Sequence, residues 1–180
     1  MKDFAPRLIA LVAFAILMAL GAQIDVPMHP VPMTMQSFAI FLAGLCLGHR
    51  DGFLAVLVYL AAAAAGLPVL AEGASGLKPF TGATAGYIYA FPVAALLAGL
   101  WVRAGQSRPR ILRPWWIIAA LFALHLLLLG MGTAWLATQI PLADAISGGF
   151  TPFLIGAGVK SLLCWLVWAI QRRFRRGGTG

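Results

Sequence analysis

The sequence predicts an all-α integral membrane protein, a compact bundle of six transmembrane helices with irregular external loops, and three observations carry that prediction. Of its 180 residues 62% are apolar and only 10% charged, with a mean hydropathy of +0.92, whereas ordinary soluble domains run near about 45–50% apolar and 25% charged. Surface-to-volume scaling leaves a soluble chain of this size no way to hide so much hydrocarbon, while a membrane accepts apolar faces turned outward. The apolar residues fall into long runs, and the basic residues gather in short clusters between them. That placement accounts for the net charge of +8 through membrane orientation and without a nucleic-acid partner. Residues 1–180 form a single transmembrane domain.

A crossing takes roughly 17–25 helical residues, fewer where an end is buried in protein. The candidate spans are residues 6–23, 34–48, 52–66, 84–102, 114–136 and 152–171. The first, with Lys2 and Arg7 ahead of an apolar stretch, also has the outline of a secretory signal. The next apolar run follows closely, so retention as a span is the simpler account. The second and third are short, and the GHRDG turn at 48–52 leaves almost no exposed loop between them. A re-entrant pair there, or a dip by 67–83, gives an odd count, but charge placement decides for six. With the N-terminus cytoplasmic, the inner side collects Lys2, Arg7, Arg50, Arg103, Arg108, Arg110, Arg113, Arg172, Arg173, Arg175 and Arg176. Of the 13 basic residues, only Lys78 and Lys160 fall elsewhere. This is the positive-inside pattern, and it puts both termini in the cytoplasm of a multi-pass cell-membrane protein.

The outer side receives AQIDVPMHPVPM, LPVLAEGASGLKPFTGATAG and ATQIPLADAISGG, which are apolar and rich in Pro and Gly. Pro27, Pro30 and Pro32 stiffen the first; Gly73, Gly76 and Gly82 give the second bends that other residues resist. A connection as long as the second usually has a purpose in a compact chain, such as a lid or binding loop; the alternative is an irregular connector lying on the headgroups. Ala15 and Ala19 make a small-xxx-small pair on the first span, which suits docking of a partner helix or close packing within the bundle. The run from Ala61 to Gly66 smooths one end of the third.

Lys160 is the sharpest signal. It lies about 12 Å below the outer end of the last span, where an unpaired ammonium costs roughly 2.5–3.5 kcal/mol on insertion scales. Helical side chains lean toward the N-terminus, which sends this one outward over Gly156 and Ala157, into a cleft where it can anchor an anionic ligand. Snorkelling or a bond to backbone carbonyls is the structural alternative. Thr34, a plausible helix cap, and Gln36 open the second span, and Gly86 and Tyr87 open the fourth. An amide, an aromatic hydroxyl and a cation at one height suit a ligand carrying both hydrogen-bonding and carboxylate groups. His125 and the flanking Trp116 and Trp135 carry less weight. No span contains an acidic residue to complete a proton relay; Asp25 and Asp144 belong to outer loops and Asp51 to the inner turn. Cys46 and Cys164 read as buried thiols, with no CxxC pair and no metal site.

At VPMTMQSFAIFLAGLCLGHRDG, then GLPVLAEGASG, TGATAGY and finally PFLIGAGVK, the sequence resembles the BioY family, the biotin-binding S components of energy-coupling factor transporters. That family typically reads VPxTxQ, LAGLxLGxRxG, GLPVFxGGxGG, GPTGGY and PFxPGDxxK. The resemblance runs from Ala10 to Lys160. It implies a six-helix protein that binds biotin on its external face and works with a transmembrane T component and cytoplasmic ATPase subunits. It places Pro32, Thr34 and Gln36 in the first motif, Gly86 and Tyr87 in the fourth, and Lys160 in the last. Ala83 and Ala85 replace Pro and Gly, Glu72 replaces a Gly, and Ala157 stands where the family has Asp. Loss of that carboxylate leaves Lys160 without a counter-charge, which the carboxylate of biotin would supply. The ureido ring at the other end of biotin asks for paired donors and acceptors.

The function expected is capture and transport of biotin with no cofactor. The alternatives are an S component for another small carboxylated vitamin, or a structural membrane subunit. An enzyme is disfavoured: HExxH, GxSxG and GxxxxGK[ST] are all absent from the sequence, so energy for uptake has to come from partners.

Overall fold

The computed structural model describes residues 4–177, with side chains up to 174; Lys2 and the side chains of Arg175 and Arg176 lie outside the described residues. The chain runs α1 (Phe4–Gln23), β1 (Asp25–Val26), β2 (Met33–Thr34), α2 (Gln36–Leu47), α3 (His49–Ala64), α4 (Ala85–Ser107), α5 (Pro114–Leu136), α6 (Leu142–Gly149) and α7 (Phe153–Gly177).

Four helical stretches, Phe4–Gln23, Ala85–Ser107, Pro114–Leu136 and Leu142–Phe174, are long and apolar enough to cross a membrane. The other two expected spans are shorter, 12 residues in α2 and 16 in α3; at 1.5 Å per residue α2 covers only about 18 Å of a roughly 30 Å hydrocarbon core. The turn between them is a single residue, Gly48, at φ 83°, a conformation that costs a side chain but not glycine. Two elements were not legible beforehand. The loop before α2 contains a two-stranded antiparallel ladder pairing Asp25 with Thr34 and Val26 with Met33, and the loop after α5 contains the short helix α6.

The helix ends follow local chemistry. Pro114 occupies the first position of α5, where its missing N–H leaves nothing unsatisfied, and α4 stops at Ser107 just ahead of Pro109. The core is shared by α2, α3, α4, α5 and α7, with Ile40, Phe41, Tyr59, Ile117 and Leu121 among its fully buried members. α2 and α3 approach through glycine: a Cβ on Gly52 would lie 2.7 Å from the Gly44 Cα. Outward faces are apolar, as on α7, where Ile155, Val159, Leu162 and Leu166 are exposed. Lipid accommodates such a face.

The helices give the molecule two ends. The hairpin end carries the β-ladder, the 65–84 loop and α6. The basic end carries Arg50 in the first turn of α3, Arg103 near the end of α4, and Arg108, Arg110 and Arg113 in the connection from α4 to α5, and there Arg7 pairs with Asp51 at 2.6 Å, tying α1 to the start of α3.

Candidate functional site

A cavity of about 390 Å³ opens at the hairpin end, within the roughly 300–1,000 Å³ of small-molecule sites. Its walls come from the hairpin loop, the start of α2, the 65–84 loop, the first turns of α4, and the facing sides of α5 and α7. The 65–84 loop bends where its backbone turns left-handed, at Gly66, Glu72, Gly73 and Gly76. Gly73 and Gly76 behave as expected. Gly82 instead offers its carbonyl to Trp135 Nε1 at 3.0 Å and Gln139 Nε2 at 3.2 Å, fixing the loop to α5.

Of the five residues expected to touch a ligand, Thr34, Gln36, Tyr87 and Lys160 line this cavity. Gly86 is not among its lining residues. It is buried in the α4–α5 contact, where a Cβ would stand 2.9 Å from the Met131 carbonyl oxygen, so this glycine permits close helix approach.

Lys160 leans as the helix geometry requires: its Cε passes 3.7 Å from where a Cβ on Gly156 would be. Its Nζ donates to the Thr34 carbonyl at 2.9 Å and to Ser37 Oγ at 3.0 Å. An ammonium has three N–H donors, so one remains. Both partners are neutral, and among the described residues the one ion pair is Arg7–Asp51 at the far end. Lys160 is therefore a nearly buried cation, 7% exposed, without an acidic partner. A bond to a carbonyl, the structural alternative, is met, but the carbonyl belongs to β2 and not to its own helix.

Gln36 is held from behind. Its Nε2 donates to the Tyr59 hydroxyl, which donates in turn to the Val69 carbonyl at 2.9 Å. Thr34 Oγ1 accepts the Gln36 backbone N–H at 3.3 Å, but it lies in β2, one residue ahead of the N-cap, Met35, which makes no side-chain cap bond, so Thr34 is not the helix cap its position suggested. Tyr59 was not singled out in the sequence; a lone hydroxyl in an apolar span is the signal that marks it. The Tyr87 hydroxyl is likewise committed, donating to the Gly149 carbonyl at 2.7 Å and standing 3.2 Å from Thr133 Oγ1. What remains for the cavity is the ring, seated on Gly132, where a Cβ would collide with it.

Sequence reasoning also undervalued His125. It lines the cavity beside Ala157 and is 2% exposed. Its Nδ1 lies 3.0 Å from the Leu121 carbonyl, while its Nε2 is the one buried side-chain nitrogen or oxygen without a hydrogen-bond partner among the described residues. Such a group costs about 1–3 kcal/mol when nothing answers it. Two further charged residues line the cavity, Glu72 and Lys78, both exposed in the 65–84 loop. Ala15 and Ala19 stand half-buried on α1, packed on the chain's own core. Cys46 and Cys164 form no disulfide, and Cys164 is buried.

A probable biotin transporter BioY of Pyrococcus horikoshii is 39% identical over 161 residues, covering 89% of this chain and 91% of its own. A biotin transporter BioY of Thermotoga maritima is 34% identical over 155 residues, covering 86% and 88%. The crystal structure of the S-component for biotin from an ECF-type ABC transporter superposes with a TM-score of 0.84 at 24% identity, over 96% of this chain and 93% of that one, which establishes the fold. The BioY family model matches residues 1–176, and with two relatives above 30% identity along most of their length, this multi-pass membrane protein belongs to the BioY family.

Proposed function

We propose that the chain captures biotin in the hairpin-end cavity, as the substrate-binding S component of an energy-coupling factor transporter. The observation that carries the proposal is Lys160: a buried ammonium with one N–H unspent, in an otherwise largely apolar cavity of ligand size. A fixed cation next to a positioned amide, Gln36, selects a polar, partly apolar small molecule, and the relatives' names supply biotin as that molecule. Loss of the family Asp at Ala157 supports a second reading, an S component for a different small carboxylated vitamin. Titration of the purified chain with a panel of vitamins separates the two. Biotin saturating one site per chain, tighter than any other vitamin, is expected; preference for another vitamin rejects biotin.

The six expected spans, α1 to α5 and α7, cross the bilayer, α2 and α3 with their short ends buried in protein, and the hairpin end faces outward with both termini cytoplasmic. The shared location of Arg50, Arg103, Arg108, Arg110 and Arg113 at one end supports this orientation. A membrane-impermeant thiol reagent added from outside labels Ser75→Cys but not Ser107→Cys; the reverse pattern rejects it. A transmembrane T component and cytoplasmic ATPase subunits supply the energy, with the T component approaching α1 over Ala15 and Ala19. Leu at both positions abolishes co-purification of that subunit while biotin binding persists; unchanged co-purification assigns the alanines to internal packing alone.

A further inference from the structure

The His125 ring has one edge committed and one bare. Its Nδ1 faces the Leu121 carbonyl at 3.0 Å and Ser161 Oγ at 3.1 Å, and Ser161 spends its own hydrogen on the Ala157 carbonyl at 2.7 Å. Both groups facing Nδ1 are thus acceptors, so the proton sits on Nδ1 and Nε2 keeps a lone pair. Nε2 is one ring carbon away from Nδ1, and its lone pair points in a different direction from the Nδ1 proton. No side chain or backbone group donates to it, and the imidazole ring as a whole packs on the Phe41 ring, with centroids 4.3 Å apart. A buried acceptor in a cavity wall asks its occupant for a donor.

We infer that His125 Nε2 accepts a hydrogen bond from an N–H of the ligand's cyclic urea, which sets the ureido ring at the cavity floor and the carboxylate tail toward the rim. This rests on the biotin reading and deepens it. A carboxylate has no hydrogen to give and would oppose lone pair to lone pair, so the end that meets His125 is the neutral one. Spacing agrees. Lys160 Nζ is held at Ser37, and the His125 ring packs on Phe41, four residues further along α2, an offset of about 6 Å. Adjacent N–H and C=O groups of one urea, with a hydrogen bond at each side, bridge an offset of that order. The unspent N–H of Lys160 therefore meets the ureido carbonyl in place of the carboxylate expected from sequence, and the tail runs toward Lys78 in the exposed loop. Ala157 fits the same account: where the family motif has a carboxylate acceptor, this chain has a methyl group, and Ser161 ties that position directly to His125.

The test is a calorimetric titration of the full chain with biotin, biotin amide and biotin methylated on both ureido nitrogens. His125→Phe weakens biotin by about 5- to 150-fold, the range for a buried donor left unanswered. It weakens the amide by the same factor, and costs the methylated ligand, already weak on the wild type, nothing further. Adding Ala157→Asp to His125→Phe returns an acceptor to the floor and recovers affinity. Independently of any variant's folding, the imidazole ¹⁵N spectrum of the wild type contains an unprotonated Nε2 resonance that moves when biotin binds. Biotin binding unchanged in His125→Phe, a loss confined to the acid form, or an unmoved Nε2 resonance overturns the inference while leaving biotin as the ligand. A wild type that ignores biotin overturns both.

Discussion

At the basic end of the bundle, Gly44, Gly52 and Gly99 let α2, α3 and α4 come together until a Cβ on any of them would fall on a neighbour's backbone. Trp168 closes the same region with a bond from Nε1 to the Leu45 carbonyl at 3.1 Å. At the hairpin end, α2 and α4 line a cavity together with α5 and α7, and polar side chains span the gap. Tyr59 braces Gln36 against the 65–84 loop, Tyr87 ties α4 to α5 and the end of α6, and Lys160 bridges α7 to β2. Lipid gives helices no hydrophobic reason to associate, so shape and hydrogen bonds hold them. The comparison teaches that small residues seal one end, and that the void at the other persists because its walls are fixed by bonds directed across it.

Breaking the seal has the largest expected effect. Gly52→Leu forces side-chain atoms into the α2 backbone, an overpacking without room to relax, at more than about 3 kcal/mol. Loss of a monodisperse folded species in size-exclusion chromatography is the readout, whereas Ala at Gly130, where a Cβ meets nothing within 4 Å, leaves it intact.

At the cavity end, Lys160→Ala removes a charge-assisted hydrogen bond worth roughly 1.5–3 kcal/mol, and so weakens biotin by about 10- to 150-fold in titration calorimetry. The acid and the amide lose equally if the lysine meets the ureido carbonyl, and the acid loses more if it meets the carboxylate.

Much of this division was legible in sequence. Hydropathy and charge placed six apolar segments and their basic linkers, and the span predicted at 114–136 coincides with α5. The depth of Lys160 in the last span points to a cleft, and Lys160 lines the cavity. What stayed hidden depended on partners far along the chain. Gly86 is a contact with α5 and not with the cavity, because only the α4–α5 crossing decides which way its missing side chain would point. The Tyr87 hydroxyl is spent on Gly149, 62 residues away, and His125 acquires its bare nitrogen only when Ser161 and Leu121 take the other one. No local pattern announces any of these.

Smaller effects sharpen the comparison. Tyr59→Phe leaves the Gln36 amide and the Val69 carbonyl unanswered in a buried setting, at about 1–3 kcal/mol. Thermal stability falls, and biotin affinity falls by roughly tenfold or less because Gln36 loses its orientation. Glu72→Gly acts in the opposite direction. Glu72 holds φ 56°, a left-handed conformation costing a side chain about 1–2 kcal/mol, part of which the greater backbone freedom of glycine returns to the unfolded chain. A gain of up to about 1 kcal/mol in stability follows, with biotin affinity unchanged within about twofold.

The central claim, that the hairpin-end cavity is where biotin binds, meets its most direct test at Ala157, which lines the cavity and is 2% exposed. Ala157→Phe fills the space with a ring and removes no hydrogen-bonding group. Calorimetric titration of detergent-purified wild type and variant, matched for size-exclusion profile, should give one biotin bound per wild-type chain and no measurable heat with the variant. Full-affinity biotin binding by a folded Ala157→Phe chain would contradict the account.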